Sequence, residues 1–266
     1  MTDTGPPDGR VVILLHGFPE DRACWKRVSS ALADAGYRTL APDQRGYSPG
    51  ARPRGRRAYS LDELGADVLA LADAAGCERF DLVGHDWGGG LAWDLASRHP
   101  DRVRTMTSLS TPHPRAFAAS LLRSTQLLHS WYMLFFQLPA LPEMALRLGG
   151  GDRSAQSLRR SGLDDASASR YARRFAERGA MTGPLNWYRA IPFGSRDPAP
   201  PVAVPTLYVW SDGDGFLTRK AADLTARFVD GPYRFEVLEG RSHWLPTEAA
   251  AEVSKLLMDH LAAHPG

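Results

Sequence analysis

Two cysteines, Cys24 and Cys77, in 266 residues leave no disulfide framework, so the chain must be held by a buried apolar core. Lysine is almost absent, at Lys26, Lys220 and Lys255 only, and arginine carries the basic side. With abundant alanine, that bias reads as coding preference rather than function. No apolar run is long enough to cross a bilayer. The most apolar stretch, Leu127 to Leu148, is broken by Pro139 and Pro142 and is read more simply as a covering helix over an apolar pocket than as a membrane contact. Met1-Thr2-Asp3-Thr4-Gly5 is not a signal peptide. A net charge of +2 gives no general attraction to polyanions, and Arg52-Pro53-Arg54-Gly55-Arg56-Arg57 reads as a solvated loop. Metal-ligand spacing and internal repeats are missing too. These absences point to a soluble cytoplasmic protein with no nucleic-acid partner, no stable membrane insertion, no metal and no organic cofactor.

What is present is enough for one large core, with 43% hydrophobic residues. Strand-like and helix-like runs alternate in the first half. Val11 to Leu15, Tyr37 to Ala41, Phe80 to Val83 and Arg104 to Leu109 are predicted strands, and Leu61 to Ala75 is an amphipathic helix. From about 112 to 201 the strands vanish and the pattern turns helical. Ser195-Arg196-Asp197-Pro198-Ala199-Pro200-Pro201 reads as a proline-rich return to the sheet. Strands are predicted again at Thr206 to Trp210 and Tyr233 to Leu238, before a last helix from about Ala249 to Ala262. The pattern predicts an α/β fold: a mostly parallel sheet with flanking helices, core residues 1–111 and 202–266, and a helical cap, 112–201, inserted between them.

The most informative stretch is Gly84-His85-Asp86-Trp87-Gly88. It lies between a predicted strand and a predicted helix, the setting of a nucleophile elbow, with aspartate where serine is usual. A carboxylate of ordinary pKa about 3.9 is already anionic at neutral pH. It can displace a leaving group at saturated carbon and form an ester that water must then cleave. The simpler reading is an aspartate that caps the helix after it.

The ester needs a base and an orienting acid later in the chain, in the order nucleophile, acid, histidine. His243 follows the last predicted strand. Asp212 and Asp214, in the turn Ser211-Asp212-Gly213-Asp214-Gly215, compete for the acid. The strand Val11 to Leu15 ends in His16-Gly17-Phe18-Pro19, where such folds place an oxyanion-hole amide. The backbone N–H groups of Phe18 and Trp87 are therefore the expected oxyanion hole. His16 reads as structural, and Phe18-Pro19 is a candidate cis bond.

These motifs make the chain resemble an α/β-hydrolase of the epoxide hydrolase branch along nearly its whole length. The resemblance favours Asp214 over Asp212. It also implies two cap tyrosines that hold and protonate the epoxide oxygen. Ser130-Trp131-Tyr132-Met133-Leu134-Phe135-Phe136-Gln137 and Leu185-Asn186-Trp187-Tyr188-Arg189 resemble the segments that carry them, which assigns Tyr132 and Tyr188. Chemistry supports phenols there, since a neutral hydroxyl can bond and then protonate a departing alkoxide. Trp131, Phe135, Phe136 and Trp187 are expected to line an apolar substrate pocket.

The implied reaction is hydrolysis of an apolar or aryl epoxide to a vicinal diol through an Asp86 ester. Two alternatives remain. A dehalogenase would need N–H donors for halide, but Phe18 has no side-chain donor and Ser108-Leu109-Ser110-Thr111-Pro112 holds no carboxylate for an earlier triad acid. The fluoroacetate type shares the His-Gly-Phe-Pro start but puts arginines where Trp87-Gly88-Gly89-Gly90 stands. The other alternative is a ligand-binding protein with little turnover. One departure from the family stands out. Its usual N-terminal antiparallel hairpin is not evident, and Gly5-Pro6-Pro7-Asp8-Gly9 reads as the loop leaving one. Either the hairpin is absent or the chain starts late, and its loss would leave a bare sheet edge and could promote a homodimer.

Overall fold

The computed structural model describes residues 1–148, 150–194 and 199–265. One sheet of seven strands organises it: β1 (Thr2–Thr4), β2 (Val11–Leu15), β3 (Arg38–Ala41), β4 (Phe80–His85), β5 (Val103–Leu109), β6 (Thr206–Ser211) and β7 (Tyr233–Leu238). Their spatial order is β1-β3-β2-β4-β5-β6-β7. All pairings from β3 to β7 are parallel, and β1 alone runs antiparallel, with Thr2 opposite Ala41 and Thr4 opposite Thr39.

That first strand corrects the reading of the N-terminus. Thr2–Thr4, where no strand is predicted, pairs with β3 as the strand before the loop at Gly5 to Gly9, so the outer edge of β3 is covered. The argument for a homodimer through a bare β3 edge loses its basis. Three polar residues carry no hydrophobic alternation, which is why their sequence gave no strand signal.

The helices before the insertion are α1 (Lys26–Asp34), α2 (Leu61–Ala74) and α3 (Trp87–Arg98). Between β5 and β6 come α4 (Pro114–Leu121), α5 (Gln126–His129), α6 (Trp131–Phe135), α7 (Leu141–Leu148), α8 (Gly150–Arg160), α9 (Asp165–Ala176) and α10 (Thr182–Ala190). After β6 follow α11 (Arg219–Leu224), α12 (Leu245–Glu248) and α13 (Ala250–Ala263). Among the described residues of 112–201 no strand occurs. In the proline-rich return, Ser195, Arg196, Asp197 and Pro198 lie outside the described residues, and the sheet resumes with a parallel bridge from Val202 to Val229.

The unbroken apolar run of β2 follows from its central place, with helices on both faces. Its side chains alternate between two cores. Val11, Ile13 and Leu15 pack with residues of α2 and α3, whereas Val12 and Leu14 pack with α1 and α13. Ser60 begins α2 by accepting a hydrogen bond from the Glu63 amide at 3.4 Å.

At the end of β4 remote from the elbow, Asp81 is fully buried and paired. Arg10 donates to its two oxygens at 2.6 and 2.7 Å, Arg104 donates at 3.1 Å and Thr105 at 2.8 Å. Removing one member of a buried pair strands the other, typically at a cost of about 3–5 kcal/mol. Asp81→Ala is therefore expected to lose about 3 kcal/mol of unfolding free energy, seen as a lower urea midpoint with kcat unchanged. An unchanged midpoint would show that the arginines reach solvent instead.

Candidate active site

The sheet delivers Asp86 at the C-terminal end of β4, immediately before α3. Its backbone has φ 50° and ψ −120°, a conformation that non-glycine residues rarely adopt. The surroundings hold it there. Its carbonyl accepts from the Thr111 hydroxyl at 2.8 Å and the Gly90 amide at 3.0 Å. Close packing explains the glycines. A Cβ on Gly88 would stand 2.1 Å from the Leu15 carbonyl oxygen, and one on Gly17 would stand 2.3 Å from the Asp86 Cβ.

The Asp86 side chain makes no capping bond to α3, which rules out the helix-cap reading. Instead its Oδ1 accepts the Phe18 amide at 2.7 Å, and its Oδ2 lies 3.6 Å from His243 Nε2. The Phe18–Pro19 bond is cis. The Trp87 amide is the first of α3, one residue beyond Asp86, and among the described residues it makes no hydrogen bond to that carboxylate. His16 is buried, with Nδ1 3.0 Å from the Gly17 carbonyl and Nε2 accepting the Gln44 amide at 3.2 Å, away from the carboxylate.

Asp214 and His243 meet from two different loops. His243 Nδ1 is 2.7 Å from Asp214 Oδ2, and both side chains are almost wholly buried. The other Asp214 oxygen accepts the amides of Phe216 at 2.8 Å and Leu217 at 3.0 Å, so the turn itself aims the carboxylate. Asp212 is exposed and, among the described residues, accepts only the Gly240 amide, at 2.7 Å. The geometry brings Asp86, His243 and Asp214 into one chain of contacts and leaves Asp212 outside.

Electrostatics follow from this chain. Burial opposes the charge on Asp86, but the nearby imidazole of His243, then His85 and the Phe18 amide, hold its carboxyl below the usual range. Burial likewise opposes charge on His243. The carboxylates of Asp214 and Asp86 outweigh it and push His243 up to about 10. These shifts favour an anionic Asp86 carboxylate beside a cationic imidazole.

A cavity of about 640 Å³ opens over these residues, walled by Phe18, Phe136, Phe175, Phe216 and the helical insertion. Tyr132 on α6 and Tyr188 on α10 both line it, their rings 6.1 Å apart and nearly perpendicular. Burial, then the charges of Asp86 and Asp214, raises the Tyr132 phenol far above its ordinary value. Burial, with Tyr132, Asp86 and Tyr47 nearby, does the same for Tyr188. Both phenols stay protonated.

Of the four residues expected in the pocket wall, Trp131 and Phe136 line the cavity. Trp187 does not. It is fully buried in the sheet core, donates its indole N–H to the Arg45 carbonyl at 2.9 Å and packs on Trp87 and Tyr47. As the neighbour of Tyr188 on α10, it points about 100° around the helix from the cavity. Phe135 is also outside the lining and packs behind Phe136, with ring centroids 6.1 Å apart.

Three supporting residues escaped sequence reasoning. Fully buried His85 donates from Nε2 to the His243 carbonyl at 2.8 Å, and its Nδ1 lies 2.7 Å from Glu20 Oε2. This pair fixes the backbone of the histidine loop. His85 lay in plain view within the elbow motif, but nothing local showed that it reaches a residue 158 positions away. Arg189 grips Glu143 at 2.7 and 2.8 Å and the carbonyls of Phe136 and Leu138 at 2.9 and 2.7 Å. It thereby ties the helix bearing Tyr188 to the segment after Tyr132.

Comparison with known proteins gives the family. A sequence model of the alpha/beta hydrolase fold family matches residues 10–250. The chain is 38% identical to the AB hydrolase superfamily protein YfhM of Bacillus subtilis, over 97% of this chain and 92% of that one. It is 35% identical to Epoxide hydrolase A of Mycobacterium tuberculosis, over 98% of this chain and 93% of that one. The crystal structure of Epoxide Hydrolase A from Mycobacterium thermoresistibile superposes with a TM-score of 0.83 at 29% identity, covering 98% of this chain and 93% of that one. The chain is thus a hydrolase of the α/β-hydrolase fold. It belongs to the epoxide hydrolase branch of that family.

Proposed function

We propose that this protein converts an apolar epoxide and water to a vicinal diol. The observation that carries the reading is the Asp86 carboxylate in the elbow, 3.6 Å from His243 and sharing one apolar cavity with the phenols of Tyr132 and Tyr188. The helices from α4 to α10 act as the cap that supplies those phenols.

Tyr132 and Tyr188 hold the epoxide oxygen by hydrogen bonds. Asp86 Oδ2 attacks a ring carbon, the ring C–O bond breaks, and one phenol passes its proton to the departing alkoxide. The product is an alkyl ester at Asp86 and a tyrosinate, which regains its proton when the imidazolium of His243 gives one up. Esterification removes the Asp86 charge, one of the two carboxylates that keep His243 protonated. The imidazole then releases its proton more readily, with Asp214 fixing its orientation. Neutral His243 takes a proton from water, and the hydroxide formed attacks the ester carbonyl carbon. Negative charge gathers on Oδ1, already bonded to the Phe18 amide, with the Trp87 amide as second donor. Collapse frees the diol and leaves one water oxygen in the Asp86 carboxylate.

The test is diol formation from styrene oxide and a panel of terminal epoxides by wild type and Asp86→Ala. Wild type is expected to form diol, and the variant to lose at least about 10⁴-fold in kcat. Halide release from haloalkanes without diol from any epoxide would replace this reading by dehalogenation. Saturable binding without any product would replace it by ligand binding.

A further inference from the structure

The overall charge of +2 conceals a strong segregation. Residues 112–201 contain twelve arginines and six carboxylates, a net of +6, while the remainder of the chain carries −4. Between Asp101 and Glu143 there is no acidic residue at all. The apolar surface is equally localised. Of twelve large apolar side chains exposed among the described residues, nine fall between Leu122 and Leu148. Leu122 is 91% exposed, Leu128 73%, Leu134 69% and Trp131 64%. A concentration of this kind marks a surface that meets something apolar.

Two observations identify the partner. First, Arg123, Arg147, Arg153 and Arg160 are exposed and make no ion pair among the described residues, so this apolar face is fringed by available cations. A second copy of the same face would set these unpaired arginines against their like, whereas an anionic lipid surface satisfies both the cations and the leucines. Second, the face is continuous with the mouth of the active-site cavity, which Leu128, Trp131, Leu146 and Arg153 line. We propose that α5, α6 and α7 dock this protein peripherally on an anionic bilayer, and that lipophilic epoxides enter the cavity from the membrane. The helices are too short to span the bilayer and lie in its interface, with Trp131 at headgroup depth. The entry route rests on the epoxide hydrolase reading; the docking itself does not.

Co-sedimentation with vesicles of phosphatidylcholine alone, or mixed with phosphatidylglycerol, tests docking. Wild type is expected to bind the phosphatidylglycerol vesicles at least about tenfold more tightly, and to release as salt rises. Arg123→Glu with Arg147→Glu, and separately Leu122→Asp with Leu134→Asp, should each weaken that binding at least tenfold. None of these four residues lines the cavity. Both variants should melt like wild type and turn over water-soluble styrene oxide normally, yet lose activity on a long-chain epoxide dissolved in the vesicles. Absence of wild-type binding to anionic vesicles would overturn the proposal. So would a solution dimer that the leucine substitutions dissociate, since a second copy would then cover the face. Vesicle binding without styrene oxide turnover would instead count against the epoxide reading and leave docking standing.

Discussion

His243→Gln is expected to consume one equivalent of epoxide per enzyme and then stop. Glutamine can keep a polar contact with Asp214 but cannot accept a proton from water, so alkylation of Asp86 proceeds while ester hydrolysis does not. The protein mass should rise by that of the substrate, with the label on the peptide containing Asp86, and steady-state diol formation should fall by about 10³-fold or more. Turnover within tenfold of wild type would remove His243 from the role of base. The same logic predicts the pH dependence. His243 titrates at about 10 in the free site and lower once Asp86 is esterified. The neutral imidazole is the active form, so acidification slows hydrolysis and makes the wild-type ester accumulate at low pH. Stability runs with the opposite sign. A histidine raised from 6.5 to about 10 favours the fold fully below its unfolded value and loses that contribution as pH rises through about 10.

Removing both phenols should produce the second large effect, confined to the other chemical step. Tyr132→Phe and Tyr188→Phe are each expected to slow alkylation by about 10²-fold, and the double variant by about 10⁴-fold, the range of general acid catalysis. Quenched single-turnover reactions measure this as the rate of ester formation at Asp86. Ester hydrolysis, once alkylation has occurred, should keep its wild-type rate because His243 and the Phe18 amide are untouched. If the double variant alkylates within tenfold of wild type, the alkoxide takes its proton from water and the tyrosines serve only as cavity wall. Arg189 gives this pair its geometry, since one buried guanidinium joins α10 to the α6–α7 segment.

Much of the core was legible because its signals are local. The five apolar residues of β2, the helix over Leu61–Ala74 and the final helix over Ala250–Ala263 lie within a residue of where periodicity places them. The elbow was legible for the same reason: its glycines, nucleophile and flanking elements occupy a single short stretch. Thr2–Thr4 was not, because an edge strand of polar residues forms through pairing with β3 rather than through its own pattern. Trp187 misled because an aromatic residue beside Tyr188 looks equally suited to pocket or core. A rotation of one position around α10 sends its indole into the sheet core.

The sequence by itself determined the groups available: a carboxylate in a strand-to-helix turn, a histidine beyond the last strand, and the alternating elements of a parallel sheet. These depend on residues adjacent in the chain. Tertiary structure alone decided between Asp212 and Asp214, because the choice turns on which carboxylate the Phe216 and Leu217 amides aim at a histidine 29 positions away. It also decided that Trp187 is core, that β3 has a covered edge, and that Leu128, Trp131 and Arg153 line the active-site cavity. Such outcomes depend on distances between remote segments, and linear order does not specify those distances.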